Sequence, residues 1–153
     1  MSDDLSFQIE IPADDNGFIL LQCPYCGTYF KIATSDAEDE SILKIACPSC
    51  GLESESYLTA DVIDLAQAII NNKAMDLIHN EFKKMERNFR RGPVTFKAGK
   101  PPKHEREDPL HSGIEAMETA HFPCCKRTAK IKPLLIMTGC YCPFCGVKNY
   151  EIE

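Results

Sequence analysis

Apolar and polar residues alternate at the start of the chain. Leu5, Phe7, Ile9 and Ile11 are separated by polar side chains, the period-2 pattern of a half-buried strand, and Pro12 ends it. Asp14-Asp15-Asn16-Gly17 is a turn signal, after which Phe18-Ile19-Leu20-Leu21 reads as the returning strand. Tyr29-Phe30-Lys31-Ile32 reads as another strand, Asp36–Ser41 as an acidic loop, and Ile42–Ala46 as a lead into the next element. The period then changes. From Ala60 to Arg91 there is neither proline nor glycine. Apolar residues recur at three- and four-residue steps through Ile63, Ala66, Ile70, Ala74, Leu77, Ile78, Phe82, Met85 and Phe89. Thr59 suits the N-cap, Asp61 meets the positive end of the helix dipole, and Gly92-Pro93 stops the helix. Such a helix would be about 48 Å long. Its stripe must fold back on the rest of the chain, with a break near Asn71-Asn72 as one route, or meet a second chain. Near the C-terminus, Leu134-Leu135-Ile136-Met137 and Lys148-Asn149-Tyr150-Glu151-Ile152 resemble strands.

Cysteine spacing changes the picture most. Cys23-Pro24-Tyr25-Cys26-Gly27 recurs as Cys47-Pro48-Ser49-Cys50-Gly51 and as Cys142-Pro143-Phe144-Cys145-Gly146. Two thiolates two residues apart, followed by a glycine that permits φ > 0, form half of a tetrahedral metal site. Residues 27–46 separate the first two knuckles, the interval of a two-knuckle zinc site, so Cys23, Cys26, Cys47 and Cys50 are expected to bind one structural zinc. For Cys142 and Cys145, spacing offers His121 and Cys124 as partners, a Cys3His set. Cys125 then takes the glycine position, and Cys140 is a second spare thiol. Sets in which Cys125 replaces His121 or Cys124, or Cys140 replaces Cys142, stay open. Nine cysteines clustered in this way, with no apolar signal segment after Met1-Ser2-Asp3-Asp4, point to a reducing compartment, cytoplasmic or nuclear. No apolar run reaches membrane-spanning length.

The first and second knuckles, with their proline and glycine neighbours, resemble the zinc ribbons of transcription-factor-IIB-type proteins over residues 18–52, with a degenerate copy over 119–150. The resemblance implies three-stranded antiparallel ribbons around structural zinc. It also implies contact with nucleic acid, polymerase-like machines or other proteins. The expected fold is therefore α+β, small and zinc-stapled. Residues 1–58 would form an N-terminal ribbon, 59–92 a long amphipathic helix, 93–113 a basic linker, and 114–153 a C-terminal ribbon.

The net charge of −6 hides a polar distribution: 1–58 carries −9, 59–82 carries −3, 83–106 carries +7 and 107–153 carries −1. Lys83, Lys84, Arg87, Arg90, Arg91, Lys97, Lys100 and Lys103 are the candidate contacts for nucleic acid or an acidic partner, with Phe89 and Phe96 interleaved to stack on bases. Lys126, Arg127, Lys130 and Lys132 would support them. A solvated linker, or an arm docked on an acidic protein surface, fits the same composition. Ile63, Ile70, Leu77, Phe82 and Phe89 are the candidate partner face of the helix. Neither a catalytic zinc motif, a phosphate loop nor a nucleophile elbow is present, and His111 and His121 lack the glutamate a zinc deaminase needs. The expectation is an accessory or adaptor protein that docks on a larger assembly or on its own copy, without small-molecule substrate or membrane. Direct nucleic-acid binding through 83–106 is the alternative.

Overall fold

The computed structural model describes residues 6–113 and 116–152. It is α+β, with antiparallel sheets and one long helix, and it divides into two compact units. One unit contains Glu10–Ala60 and the chain from Leu110 onward; the other contains the chain up to Ile9 and Asp61–Pro109. The cysteine-bearing parts of the two segments expected as separate modules, 1–58 and 114–153, thus share the first unit, whereas the chain before Glu10 belongs with the second.

That unit is an internal repeat. Strands β1 (Phe18–Gln22) and β2 (Tyr29–Ala33) form one hairpin, and β5 (Glu118–Phe122) and β6 (Arg127–Ile131) form another. Leu21 pairs with Phe30 and Ala120 with Ala129, so one hairpin maps on the other by a shift of 99 residues. β2 also pairs with β6, giving the sheet order β1-β2-β6-β5. At this seam Lys31 pairs with Lys130, its own counterpart in the repeat, so a pseudo-two-fold axis passes between them. Each hairpin is followed by a short helix, α1 (Thr34–Ala37) or α3 (Pro133–Thr138). Each repeat ends in a two-residue ladder, β3 (Ile45–Ala46) with β4 (Glu53–Ser54), or β7 (Cys140–Tyr141) with β8 (Lys148–Asn149). The second repeat is shorter by four residues at this point, so the ladders are related by a shift of 95. The axis is obeyed here too: Ala46 N–H donates to Pro143 O at 2.8 Å, and Tyr141 N–H to Pro48 O at 3.0 Å.

Strand alternation explains the core. Phe30, Ile32, Ala120, Phe122, Ala129 and Ile131 lie on one face of the sheet and are all fully buried. Burying each large one contributes about 2 kcal/mol. Tyr57 packs edge-on against Phe30 at 5.6 Å, and its buried hydroxyl donates to Ile45 O and accepts from Ser54 N–H. Burial pushes this phenol up to about 12. Tyr57 O also accepts from Gln22 N–H at 2.9 Å, which closes part of the β1 edge. The turn signalled before β1 is present and is of the Asx type: Asp14 Oδ1 accepts from Asn16 N–H and Phe18 N–H, and Gly17 takes φ 80°.

The second unit is built on α2 (Ala60–Asn88), unbroken through Asn71 and Asn72. The segment 93–107, expected as a linker, runs back along it as a strap. Phe96 meets Phe82 at 5.8 Å, Ala98 N–H donates to Glu86, and His104 Nε2 lies 2.8 Å from Asp76. Asn72, buried in mid-helix, accepts from Glu105 N–H at 2.7 Å and donates to Glu105 O at 3.0 Å. The amide thereby acts like one rung of a β-ladder. The strap thus takes the face with Asn72, Asp76, His79 and Glu86. The stripe from Ile63 to Phe89 stays 38–50 % exposed at its large apolar side chains.

Two expected strands are corrected. Residues 6–11 form none: Phe7 instead lies under Lys73 Nζ at 5.3 Å, and Ser6 O accepts from Lys73. Leu5 and Met1–Asp4 lie outside the described residues, as do Ile114, Glu115 and Glu153. Leu134–Met137 belongs to α3, because Pro133 at its first turn has the φ and the missing N–H that suit a helix start.

Candidate metal centres

The first centre is assembled from the two knuckles of the first repeat. β1 delivers Cys23, the turn into β2 carries Cys26, and β3 leads into Cys47 and Cys50. In each knuckle the glycine N–H donates back to the first cysteine's carbonyl: Gly27 to Cys23 at 2.9 Å and Gly51 to Cys47 at 2.8 Å. Both glycines adopt positive φ, 73° and 71°. Gly51 has a second reason, since a Cβ there would fall 2.9 Å from the Tyr141 ring. The four sulfurs lie within 4.8 Å of one another, with Cys23–Cys50 at 3.7 Å and Cys26–Cys47 at 3.5 Å. A tetrahedral ion with four thiolates at ~2.3 Å requires sulfurs ~3.8 Å apart. All nine cysteines are free, so these are not disulfides.

The second centre departs from the Cys3His set expected first and matches the open alternative in which Cys125 replaces His121. Its candidate ligands are Cys124, Cys125, Cys142 and Cys145, again within 4.8 Å of one another, with Cys124–Cys145 at 3.5 Å. His121 is not among them. It is exposed on β5, where alternation sends it to the face opposite the buried Ala120 and Phe122. The reason lies in the turn. Lys126 has φ 54°, the one positive value outside glycine among the described residues, and stands 99 residues after Gly27. Phe122 therefore takes the place of Cys23, Pro123 of Pro24, Cys124 of Tyr25 and Cys125 of Cys26. Phe122 fills the core instead of ligating, and Cys124 supplies the missing sulfur one residue before Cys125. The signal was available: matching Phe122-Pro123 to Cys23-Pro24 gives this frame, whereas counting cysteine spacing alone misses it by one.

The electrostatics are those of thiols gathered without room for four negative charges. Burial raises the Cys47 and Cys142 thiols far above the ordinary range and Cys125 to about 11. At Cys26 burial also opposes ionisation, but the Thr28 hydroxyl and N–H outweigh it and hold the thiol down at about 6. A divalent cation resolves the conflict by letting all four sulfurs ionise. Both donor sets fit a metal ion, and each supplies the four ligands of a closed site. Asn149 Nδ2 lies 3.6 Å from Cys124 Sγ, a second contact that orients this ligand. Cys140 is not a ligand: it is 1 % exposed, occupies the place of Ile45, and burial pushes its thiol to about 11.

The basic residues fall into two groups. Lys83, Lys84, Arg87, Arg90, Arg91, Lys97, Lys100 and Lys103 are all exposed. Lys84 pairs with Glu81, and the other seven make no ion pair among the described residues. Phe96 is held against Phe82, so it is not a free stacking platform. Of the four cations on the second repeat, Lys126 and Lys132 are exposed, but Arg127 and Lys130 serve the fold. Arg127 binds Asp36 and Asp39, and the hydrogen bonds from Ser41 and then from Arg127 bring the Asp39 carboxyl down to about 2. Lys130 binds Asp14 at 2.7 Å. The acidic residues Asp14, Asp36 and Asp39 are thus internal partners, which the charge tally alone did not reveal. No helix among the described residues is long and apolar enough to cross a membrane. Comparison with protein-family models, with curated proteins and with solved structures finds no match to this chain.

Proposed function

We propose that this chain is a non-enzymatic, zinc-stapled accessory protein that docks on a larger, nucleic-acid-handling protein assembly. The four-thiolate sets favour zinc, whose tetrahedral preference they match, and their closure leaves no coordination position for water or substrate. The repeats are then two zinc ribbons joined by a seam. The observation that carries the reading is the group of seven exposed cations, without an ion pair among the described residues, on the last turns of α2, just beyond its end and on the strap. Unpaired cations held on a folded support suit an anionic surface, and the strap keeps Lys97, Lys100 and Lys103 beside the helix. Native purification of the tagged chain is expected to bring down a stoichiometric protein partner that an Arg87→Ala, Arg90→Ala, Arg91→Ala variant loses. An equal yield of the same partner with that variant would remove the basic segment from the docking surface.

The same cations favour direct nucleic-acid binding as a second reading. Fluorescence anisotropy with single- and double-stranded oligonucleotides then shows affinity falling with salt at a log–log slope of about −6, if all seven touch phosphate. Absence of binding at 50 mM salt sinks this second reading and leaves the first standing.

A further inference from the structure

Most of the exposed stripe of α2 reads the same in both directions; Met85, which falls opposite Gln67, and Ala66, which falls opposite Glu86, depart from the symmetry. Taken about Asp76, Ile63 mirrors Phe89, Ile70 mirrors Phe82, Ala74 mirrors Ile78, and Met75 mirrors Leu77. We infer that this stripe is covered by the α2 stripe of a second copy, laid antiparallel across a two-fold axis near residue 76. This inference does not rest on the function proposed above.

A two-fold interface brings one surface against itself, so residue i of one helix lies at the level of residue 152 − i of the other. A stripe without mirror spacing would set apolar side chains against polar ones. This stripe sets Ile63 against Phe89 and Ile70 against Phe82, and it places the small Ala74 opposite the larger Ile78. Charge selects the same orientation. Asp61 and Asp64 lie at the start of α2, and Arg87, Arg90 and Arg91 lie in and just beyond its last turn. Antiparallel helices bring the acidic end of one copy to the basic end of the other and oppose their dipoles. Parallel helices would crowd like charges at the basic end.

The face is also available and large enough. The strap holds α2 through Asn72, Asp76 and Glu86 and touches the stripe at Phe82 through the Phe96 ring, which leaves most of the stripe open. Eight large apolar side chains between Ile63 and Phe89 are 38–50 % exposed. At roughly 80 Å² each, two copies would bury about 1,300 Å², inside the range of about 1,200–2,000 Å² for specific interfaces. A contiguous patch of this size exceeds what a monomer ordinarily leaves in water.

Size-exclusion chromatography with light scattering on the full, metal-loaded chain tests this directly. The expected mass is twice the 17.2 kDa of one chain. Leu77→Asp, at the centre of the stripe, is expected to raise the dissociation constant on the order of a hundredfold, with circular dichroism and metal content unchanged. Ile70→Asp serves as the second variant. Orientation is read by placing a photoreactive benzoyl-phenylalanine at Phe89 and mapping the cross-link by mass spectrometry. Antiparallel pairing captures the turn around Ile63. A monomer throughout the micromolar range, an undiminished dimer in both aspartate variants, or a cross-link between two copies at residue 89 would each overturn the proposal.

Discussion

Lys31 and Lys130 face each other across the β2–β6 seam, an arrangement that like charges disfavour. Asp14 reconciles them: its Oδ2 lies 3.2 Å from Lys31 Nζ and 2.7 Å from Lys130 Nζ, and the three side chains are only 6–14 % exposed. Lys130 Nζ also bonds Asn16 and lies 4.8 Å from the Phe18 ring centre. Burial opposes ionisation of Asp14, but both lysines and the Phe18 and Asn16 N–H groups overcome it and hold the carboxyl well below its usual range. The folded pKa is below the unfolded one, so this contribution is complete above about pH 4 and lost as pH falls further. Asp14→Ala would strand two nearly buried ammonium groups. Denaturant unfolding at pH 7 with saturating metal is expected to show a loss of about 3 kcal/mol, and a loss under 1 kcal/mol would show that solvent already screens the cluster.

The corrected ligand set gives an equally direct measurement. Two metal ions per chain are expected in the natural protein and in His121→Ala. Cys125→Ser is expected to retain one, because the first centre keeps its four sulfurs. If metal analysis gave the reverse order, the turn frame set by Lys126 would be wrong.

Among the elements, the strap along α2 changes the meaning of its own sequence. Residues 93–109 have the prolines and charges of a linker, yet their polar backbone finds partners on a helix face that looked merely hydrophilic. Asn72 supplies three of the bonds: it accepts from Glu105 N–H, donates to Glu105 O, and reaches Glu107 Oε1 at 2.8 Å. Asn72→Ala is expected to speed hydrogen exchange of the Glu105 amide about thirtyfold, corresponding to a loss of about 2 kcal/mol in local stability. Exchange there no faster than in the natural protein would mean that the contacts of Phe96, Ala98 and His104 suffice to hold the strap.

At the level of the whole chain, local signals were legible and remote ones were not. The first metal centre was visible because its information is short-ranged: a proline, a glycine and two cysteines define each knuckle. β1, β2 and the extent of α2 were visible for the same reason, since hydrophobic period and turn residues are written into the segments themselves. β5 and β6 were missed because Glu118-Thr119-Ala120-His121-Phe122 and Arg127-Thr128-Ala129-Lys130-Ile131 put small alanines at half of their inward positions. The stripe on α2 was legible as a stripe. That it would stay exposed depends on Asn72 recruiting residues more than thirty positions away, which no local pattern records. The seam was hidden for a stronger reason: Lys31 opposite Lys130 is a pair that local rules advise against, and it stands because Asp14 comes from a third place in the chain.

The seam also dictates an order of events during synthesis. β2 acquires its second neighbour only when β6 exists, 99 residues later, and the chain between includes all of α2 and the strap. At about 5–20 residues per second, the nascent first repeat waits roughly 5–20 s with the Lys31 side of β2 unpaired. Closing so long a loop costs about 3 kcal/mol more than closing a local contact of a few residues, as chain entropy grows with the logarithm of length. Early metal capture by Cys23, Cys26, Cys47 and Cys50 would hold the first half in register through that interval. The open strand edge makes this waiting state the point in the protein's life most exposed to wrong pairing with a neighbouring nascent chain.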